Sequence, residues 1–266
     1  MTGATPGEVM TIAAARALRD GAVCFVGIGL PSTAANLARR LHAPNLLLIY
    51  ESGTIGAKPR ALPLSIGDGE LAETADAVVS VPEIFFEWLQ AGRVDVGFLG
   101  GAQIDRFGNL NTTVIGPWAS PRVRLPGAGG APEIAAHAGE VLIVMPHSLR
   151  AFVERLDFVT SPGFLSGRSA RRQAGLRGQG PAHVITDLGV LEPDPESREL
   201  VLTAVHPGVS VDRVREATGW SLRVAADPRT TEPPTARELD TLRELVEGGV
   251  SSREGDRGAS LPPADS

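Results

Sequence analysis

The 266 residues carry 25 basic and 31 acidic side chains, a net charge of −6, which points away from a nucleic-acid or anionic-membrane surface. A single cysteine, Cys24, excludes a disulfide framework and a cysteine-based zinc site. No apolar run reaches the roughly 18 residues needed to span a bilayer, and the opening MTGATPGEVM lacks the basic start and apolar core of a signal peptide, so the expected location is cytoplasmic.

In chain order, residues 9–19 space their apolar side chains for a helix that Gly21 ends. The run AVCFVGIG (22–29) is apolar, rich in β-branched and aromatic residues and bounded by glycine, which predicts a buried strand. Pro31 and Ser32 open a second helix, with Ser32 as the expected N-cap and Leu37, Ala38 and Leu41 along its apolar stripe. NLLLIY (45–50) is a second buried strand, so the first fifty residues contain a βαβ unit with a right-handed crossover. The alternation returns as a helix near 83–91, a strand at 94–100, a helix near 132–138 and a strand at 140–145. Further on, 183–192 and 199–205 look like paired strands, a helix is expected at 210–217, and Thr235 with Glu238 is a capping signal for a helix at 235–247. The glycine- and arginine-rich stretch 163–181 is expected as an exposed loop. The fold class is therefore α/β, an open, mostly parallel sheet flanked by helices, with one domain over 1–248 and a disordered tail over 249–266.

In such a sheet, ligands gather beyond the carboxyl ends of the strands. The first two strands deliver Gly27-Ile28-Gly29-Leu30-Pro31-Ser32 and Tyr50-Glu51-Ser52-Gly53 to that edge. Glu51 lies 22 positions after Gly29, near where a dinucleotide-binding fold keeps its ribose-binding acid, but the third glycine is missing and Pro31 occupies the phosphate turn. Glu51 is better explained as a chemical group. A carboxylate at the end of a buried strand is costly unless solvated, paired or held by backbone donors. The following SGTIGAKPR brings the cations Lys58 and Arg60 within reach by chain length. The competing explanation is that Glu51 caps its own turn through Ser52, Gly53 and Thr54.

A second constellation, LPGAGGAPE (125–133), is a glycine-rich turn leading into a helix, suited to binding an anion or a developing oxyanion through backbone N–H groups; the alternative is a flexible loop. A carboxylate nucleophile beside an oxyanion site suggests acyl transfer through a covalent intermediate. There is no G-x-S-x-G elbow, and Cys24 falls within a predicted buried strand, where it belongs to the core. His42, His137, His147, His183 and His206 have no ligand-like spacing, so no metal is implied.

Taken together, GAVCFVGIGLPS, IYESG followed by IGAKPR, DVGFLGGAQIDRFGNLNTTVIG, VRLPGAGGAPEIA and the late HPGV and ATGW resemble the small (β) subunit of family I CoA-transferases over roughly residues 8–225. Within that family the likeness is to the 3-oxoadipate branch and, more distantly, to the glutaconate branch. The resemblance implies transfer of CoA from succinyl-CoA to 3-oxoadipate in aromatic-compound breakdown, with Glu51 as the nucleophile that forms a glutamyl-CoA thioester. A carboxylate needs no general base for this, which fits the lack of a histidine partner. By the same likeness Gly129 and Gly130 supply oxyanion donors, and an α subunit of similar fold completes a shared active site in a hetero-oligomer. CoA esters are then substrates, and no cofactor is implied.

For a dicarboxylate acceptor the distal carboxylate requires a cation, and Lys58 and Arg60 are the nearest in sequence, with Arg106 and Arg124 after other motifs. Lys58 is the one lysine against 24 arginines, which suggests that its length or compact charge matters. Phe85, Phe86 and Trp88 are candidates for the partner contact or, at their helical spacing, for core packing. Three alternatives stay open: a CoA-transferase for another short dicarboxylate or 3-oxo acid, a CoA-ester hydrolase of the same fold, and a non-catalytic partner subunit.

Overall fold

Apolar residues fill the central strands of this chain on both faces, and that decides the architecture. A computed structural model describes residues 3–256, with side chains to Gly248. The first half contains α1 (Pro6–Arg16), β1 (Val23–Val26), α2 (Leu30–Leu41), β2 (Leu47–Tyr50), β3 (Thr54–Ile55), α3 (Gly69–Glu73), β4 (Ala77–Val78), α4 (Val81–Glu83, continued as a π-helical segment over Ile84–Gln90) and β5 (Val96–Leu99). Then follow β6 (Gln103–Ile104), β7 (Leu110–Asn111), β8 (Val114–Ile115), β9 (Val123–Arg124), α5 (Ala131–His137), β10 (Glu140–Val144), α6 (Ala170–Gln173), β11 (Pro181–Ile185), β12 (Gly189–Pro193), β13 (Leu200–Val205), α7 (Val211–Glu216), β14 (Arg223–Thr230) and α8 (Ala236–Asp256).

Ten strands form one sheet in the order β14-β13-β12-β11-β10-β5-β1-β2-β3-β4. Its centre, from β11 through β10, β5 and β1 to β2, is parallel throughout. The order reverses between β1 and β5, because β2 lies to one side of β1 while β10 lies beyond β5 on the other. Side chains alternate between two cores with the two-residue period of a strand. Cys24, Val26, Leu48 and Tyr50 enter the core under α1, α2 and α8, whereas Phe25 and Ile49 enter the core under α5 and the π-helical segment. Cys24 is fully buried in the first of these, and burial pushes its thiol pKa up, as expected of a core residue.

The helix α5 sits directly over β5 because Gly97 has no side chain and Ile134 fills the space a Cβ would need. It runs antiparallel to the strands it connects, so its N-terminus lies at their carboxyl edge.

Four local expectations are corrected. Gly29, at φ 84°, is the N-cap of α2, and Ser32 falls inside the first turn, where it is buried. The segment 183–192 is not one strand: Thr186 accepts from the Leu188 and Gly189 N–H groups through its hydroxyl, and the chain folds back as the β11–β12 hairpin. The helix expected near 83–91 is wound largely as a π-helix.

The fourth is the stretch 163–181, which is exposed over Arg172–Gly175 as expected but is anchored in the interior at Arg171. The Arg171 guanidinium, 5% exposed, donates to the carbonyls of Gly178 (2.7 Å), Gly163 (2.9 Å) and Ala135 (2.6 Å). That cation reaches the last turn of α5, whose carbonyls attract positive charge. Burial lowers the Arg171 pKa to about 10. At the other end Thr235 and Glu238 cap α8 as expected. The expected tail begins at 249, the helix runs to Asp256, and residues 257–266 lie outside the described residues. No helix among the described residues is long and apolar enough to cross a membrane.

Candidate active site

The register of β2 aims Glu51. Tyr50 points into the α1/α2 core, so the next residue turns to the opposite face, the one that carries Phe25 and Ile49. Tyr50 is anchored there by its hydroxyl, 3.0 Å from Ser32 Oγ and 3.4 Å from Asn36 Nδ2, and Asn36 also donates to the Ser32 carbonyl (2.9 Å). This buried triad fixes the end of the strand from which Glu51 departs. Burial raises the Tyr50 pKa and keeps its hydroxyl protonated.

The turn after Glu51 is closed by the backbone, Gly53 N–H donating to Tyr50 C=O at 3.0 Å, and the pairing continues through Val79 N–H to Gly53 C=O at 2.9 Å. The Glu51 carboxylate does not cap this turn; it makes no hydrogen bond and no ion pair among the described residues. Ser52 Oγ and Thr54 Oγ1 are likewise buried without a partner there. Buried hydroxyls without partners are rare in native folds, and their concentration next to a free acid marks a place where the fold has left capacity unused.

The glycine-rich turn meets Glu51 from the other side of the crossover. A Cβ on Gly130 would lie 3.3 Å from Glu51 Oε1 and 2.7 Å from Phe85 Cζ, so the carboxylate, the glycine and the aromatic ring converge on one point. Gly129 adopts φ 49°, a left-handed conformation that suits glycine. Ala131 N–H closes the turn on Ala128 C=O at 3.1 Å, and the N–H groups of Gly129 and Gly130 have no acceptor among the described residues. Gly130 is buried and Gly129 exposed.

The turn is not a flexible loop. Leu125 N–H donates to Thr113 C=O (3.0 Å), Gly127 N–H to Thr112 C=O (2.9 Å), and Thr112 Oγ1 to Gly127 C=O (2.8 Å). Behind these threonines, Asn111 donates to Gln103 Oε1 and Val114 C=O, both at 2.7 Å. The motif DVGFLGGAQIDRFGNLNTTVIG thus finds its physical use as a brace. Its Asp105 accepts from the Phe107 and Asn109 N–H groups, and burial raises its pKa.

The expected cations make their contacts with other residues. Lys58 Nζ pairs with Asp76 Oδ1 at 2.6 Å, both side chains about half exposed, and Arg60 is held through its backbone, its N–H donating to Glu70 and its carbonyl accepting from Arg40. Neither pairs with Glu51. Of the three aromatic candidates, Phe86 is 59% exposed, while Phe85 and Trp88 pack against the core. His147 and His206 both reach Thr186, at 3.4 and 2.8 Å, and among the described residues no three metal-ligating side chains cluster.

Sequence reasoning missed the Ser32–Asn36–Tyr50 triad and the place of Phe85 at the site. The available signal for the triad was a polar Ser32 and Asn36 on the otherwise apolar face of α2.

Residues 8–217 match the family described as Coenzyme A transferase. The chain is 58% identical to the B subunit of 3-oxoadipate CoA-transferase from Pseudomonas knackmussii, over 97% of this chain and 99% of that protein. It is 36% identical to the B subunit of glutaconate CoA-transferase from Acidaminococcus fermentans, over 93% of this chain and 94% of that protein. The crystal structure of glutaconate coenzyme A-transferase from the same organism superposes with a TM-score of 0.85 at 32% identity, covering 98% of this chain and 99% of that one. A mixed α/β sheet of the same architecture, a match over nearly the whole chain and an acid that has no partner among the described residues and faces a glycine-rich turn agree: this chain belongs to the coenzyme A transferase family.

Proposed function

We propose that the chain is the β-type subunit of a cytoplasmic CoA-transferase that moves CoA from succinyl-CoA to 3-oxoadipate, with Glu51 as the transient carrier. The observation that carries this reading is the meeting of a partnerless Glu51 carboxylate with Gly130. A Glu51 carboxylate oxygen attacks the thioester carbon of succinyl-CoA. The tetrahedral oxyanion collapses by expelling CoA thiolate and leaves a succinyl-glutamyl anhydride. The thiolate then attacks Glu51 Cδ, releases succinate and forms the glutamyl-CoA thioester. A carboxylate of the acceptor attacks the same carbon and expels the thiolate again, which takes the acceptor's acyl carbon and returns Glu51 as a free carboxylate. Electrons and atoms balance with no external base, metal or cofactor; CoA esters enter only as substrates.

Each tetrahedral state needs preset donors, and the unoccupied N–H groups of Gly129 and Gly130 are the candidates in this chain, each worth on the order of 3–4 kcal/mol if they behave like other oxyanion donors. The anhydride must also be kept from water. Both requirements point to an α subunit that closes the site and supplies the remaining donors, in keeping with relatives that are named as B subunits. Lys58 and Arg60 are proposed to meet the acceptor's distal carboxylate, Lys58 exchanging Asp76 for it.

A different short dicarboxylate or 3-oxo acid is the second reading, favoured by the 36% identity to a glutaconate-type subunit. A purely structural subunit is disfavoured, because packing demands neither a free acid at residue 51 nor the turn opposite it.

The experiment is to mix the reconstituted complex with succinyl-CoA alone, treat it with borohydride or hydroxylamine, and map the modified residue by mass spectrometry, then assay a panel of acceptor acids. A side-chain alcohol at Glu51 after borohydride, or a hydroxamate there after hydroxylamine, with CoA released in each case and 3-oxoadipate preferred, supports the reading. An adduct on another residue, or no adduct in an active complex, overturns the mechanism, and preference for another acid overturns the substrate.

A further inference from the structure

The π-helical segment Ile84–Gln90 has no part in the mechanism above, yet it packs on the glycine-rich half of the site, beside the point that Glu51 Oε1 also approaches. Its second residue, Phe85, presents the edge of its ring to Gly130: a Cβ there would lie 2.7 Å from Phe85 Cζ and 3.0 Å from Cε1, with Glu51 Oε1 at 3.3 Å. From behind, Phe85 is backed by Phe25 of β1, ring centroids 5.9 Å apart and planes tilted by 52°. Gln90, the last residue of the segment, donates to Glu133 in the first turn of α5 at 3.1 Å, and its carbonyl accepts from Arg177 at 3.2 Å. The segment is therefore fastened to α5 at both ends, by packing at Gly130 and by a hydrogen bond at Glu133.

A π-wound turn is costly and uncommon, and such turns gather at functional sites because the extra residue re-aims a side chain. Within the segment Phe85 and Trp88 pack against the core, and Phe86 is exposed. Core filling alone does not require a ring edge at the one glycine that faces the acid.

We infer that Phe85 is a positioning residue: its ring sets the separation between the Glu51 carboxylate and the Gly130 backbone, and so the geometry in which the acyl-glutamyl bond forms. This rests on the covalent reading of Glu51 given above. A ring held against a glycine without a side chain leaves that backbone no room to shift toward the ring, and displacement of reacting groups by about 1 Å costs on the order of 100-fold in rate.

The test uses the complete complex and reads the half-reaction with succinyl-CoA alone, following the rate of adduct formation on Glu51, the KM for succinyl-CoA and the melting temperature. Phe85→Leu is expected to slow adduct formation by about 10- to 100-fold with KM nearly unchanged. Phe85→Tyr, which keeps the ring and adds an oxygen on the atom nearest Gly130, is expected to slow it as well while leaving the melting temperature in place. Gly130→Ala is expected to be impaired by the collision of its methyl group with the ring, and Phe85→Leu in the same chain is expected to restore part of its rate. Restoration is a sign that a merely structural role does not produce. Multiplicative losses in the double variant, or single variants that form the adduct at the wild-type rate, overturn the inference. Absence of the Glu51 adduct in the wild-type complex overturns the covalent reading and this inference with it, so the two failures are told apart by the wild-type lane.

Discussion

Thr112 and Gly127 hold one another twice: the Gly127 N–H donates to the Thr112 carbonyl at 2.9 Å, and the Thr112 hydroxyl donates to the Gly127 carbonyl at 2.8 Å. This paired contact clamps the start of the glycine-rich turn three residues before Gly130. Thr112→Val keeps the shape and the backbone bond but removes the hydroxyl. The expected outcome is a loss of about 1 kcal/mol of stability and a fall in kcat of about tenfold, measured by denaturant titration and steady-state kinetics of the complex.

Among the described residues the Glu51 carboxylate makes no hydrogen bond and no ion pair, so activity and stability should separate at this residue. Glu51→Gln is expected to abolish turnover in fresh preparations, with the melting temperature within about 2 °C of wild type, since loss of a partnerless, partly exposed carboxylate changes stability by about 0.5 kcal/mol or less. A thermal melt beside an activity assay checks both. A large drop in melting temperature would assign Glu51 a structural task instead.

Arg171 supplies the opposite case. Replacing it with methionine leaves the carbonyls of Gly178, Gly163 and Ala135 without their donor inside the protein. The expected cost is about 3 kcal/mol or more, or a melting temperature lower by roughly 6–12 °C. Arg171→Lys should recover little of it, because an ammonium cannot reach three divergent carbonyls as a planar fork does.

His147 governs the mildly acidic range. It is buried, stacked on Phe152 with centroids 3.6 Å apart and hydrogen-bonded to Thr218 at 2.9 Å, and burial lowers its pKa to about 4. Burial lowers the His206 pKa in the same direction. The folded state thus resists protons that the unfolded chain accepts near pH 6.5. For His147 the stabilisation is fully present above pH 6.5 and is lost as the pH falls toward 4, by about 1.4 kcal/mol per unit. Melting temperatures should fall over that window, and the slope should be shallower in His147→Gln; an unchanged slope would show that His147 is not responsible.

Lys58→Arg tests the distal-carboxylate proposal. If the compact ammonium matters, turnover with dicarboxylate acceptors falls several-fold while a monocarboxylate 3-oxo acid is unaffected. Equal turnover for both removes Lys58 from the site.

Much of the parallel centre of the sheet is legible in the sequence, because strands buried on both faces need uninterrupted apolar runs such as CFV and LLIY, and two-residue alternation follows from backbone geometry. Glu51 stands out for the same reason: a charge at the end of such a run demands an explanation. What is not legible depends on contacts distant in sequence. The stretch around Arg171 has the composition of an exposed loop, and Arg171 alone among its arginines is buried, because carbonyls 8 and 36 residues away converge on its guanidinium. Ser32 has a cap's chemistry, but Gly29 accommodates a backbone angle that starts the helix earlier. Phe85 shares a helical face with Trp88, and what singles it out is the approach of Gly130, a contact distant in sequence that the apolar spacing of 83–91 does not encode.

The deep position of Cys24 in β1 has a practical side. With one thiol per chain, sealed in the middle of the central strands, a maleimide dye added to the native protein will find nothing to react with until that part of the sheet opens. Covalent labelling at Cys24 therefore works as a built-in stopwatch for opening of the sheet centre, without any engineered reporter.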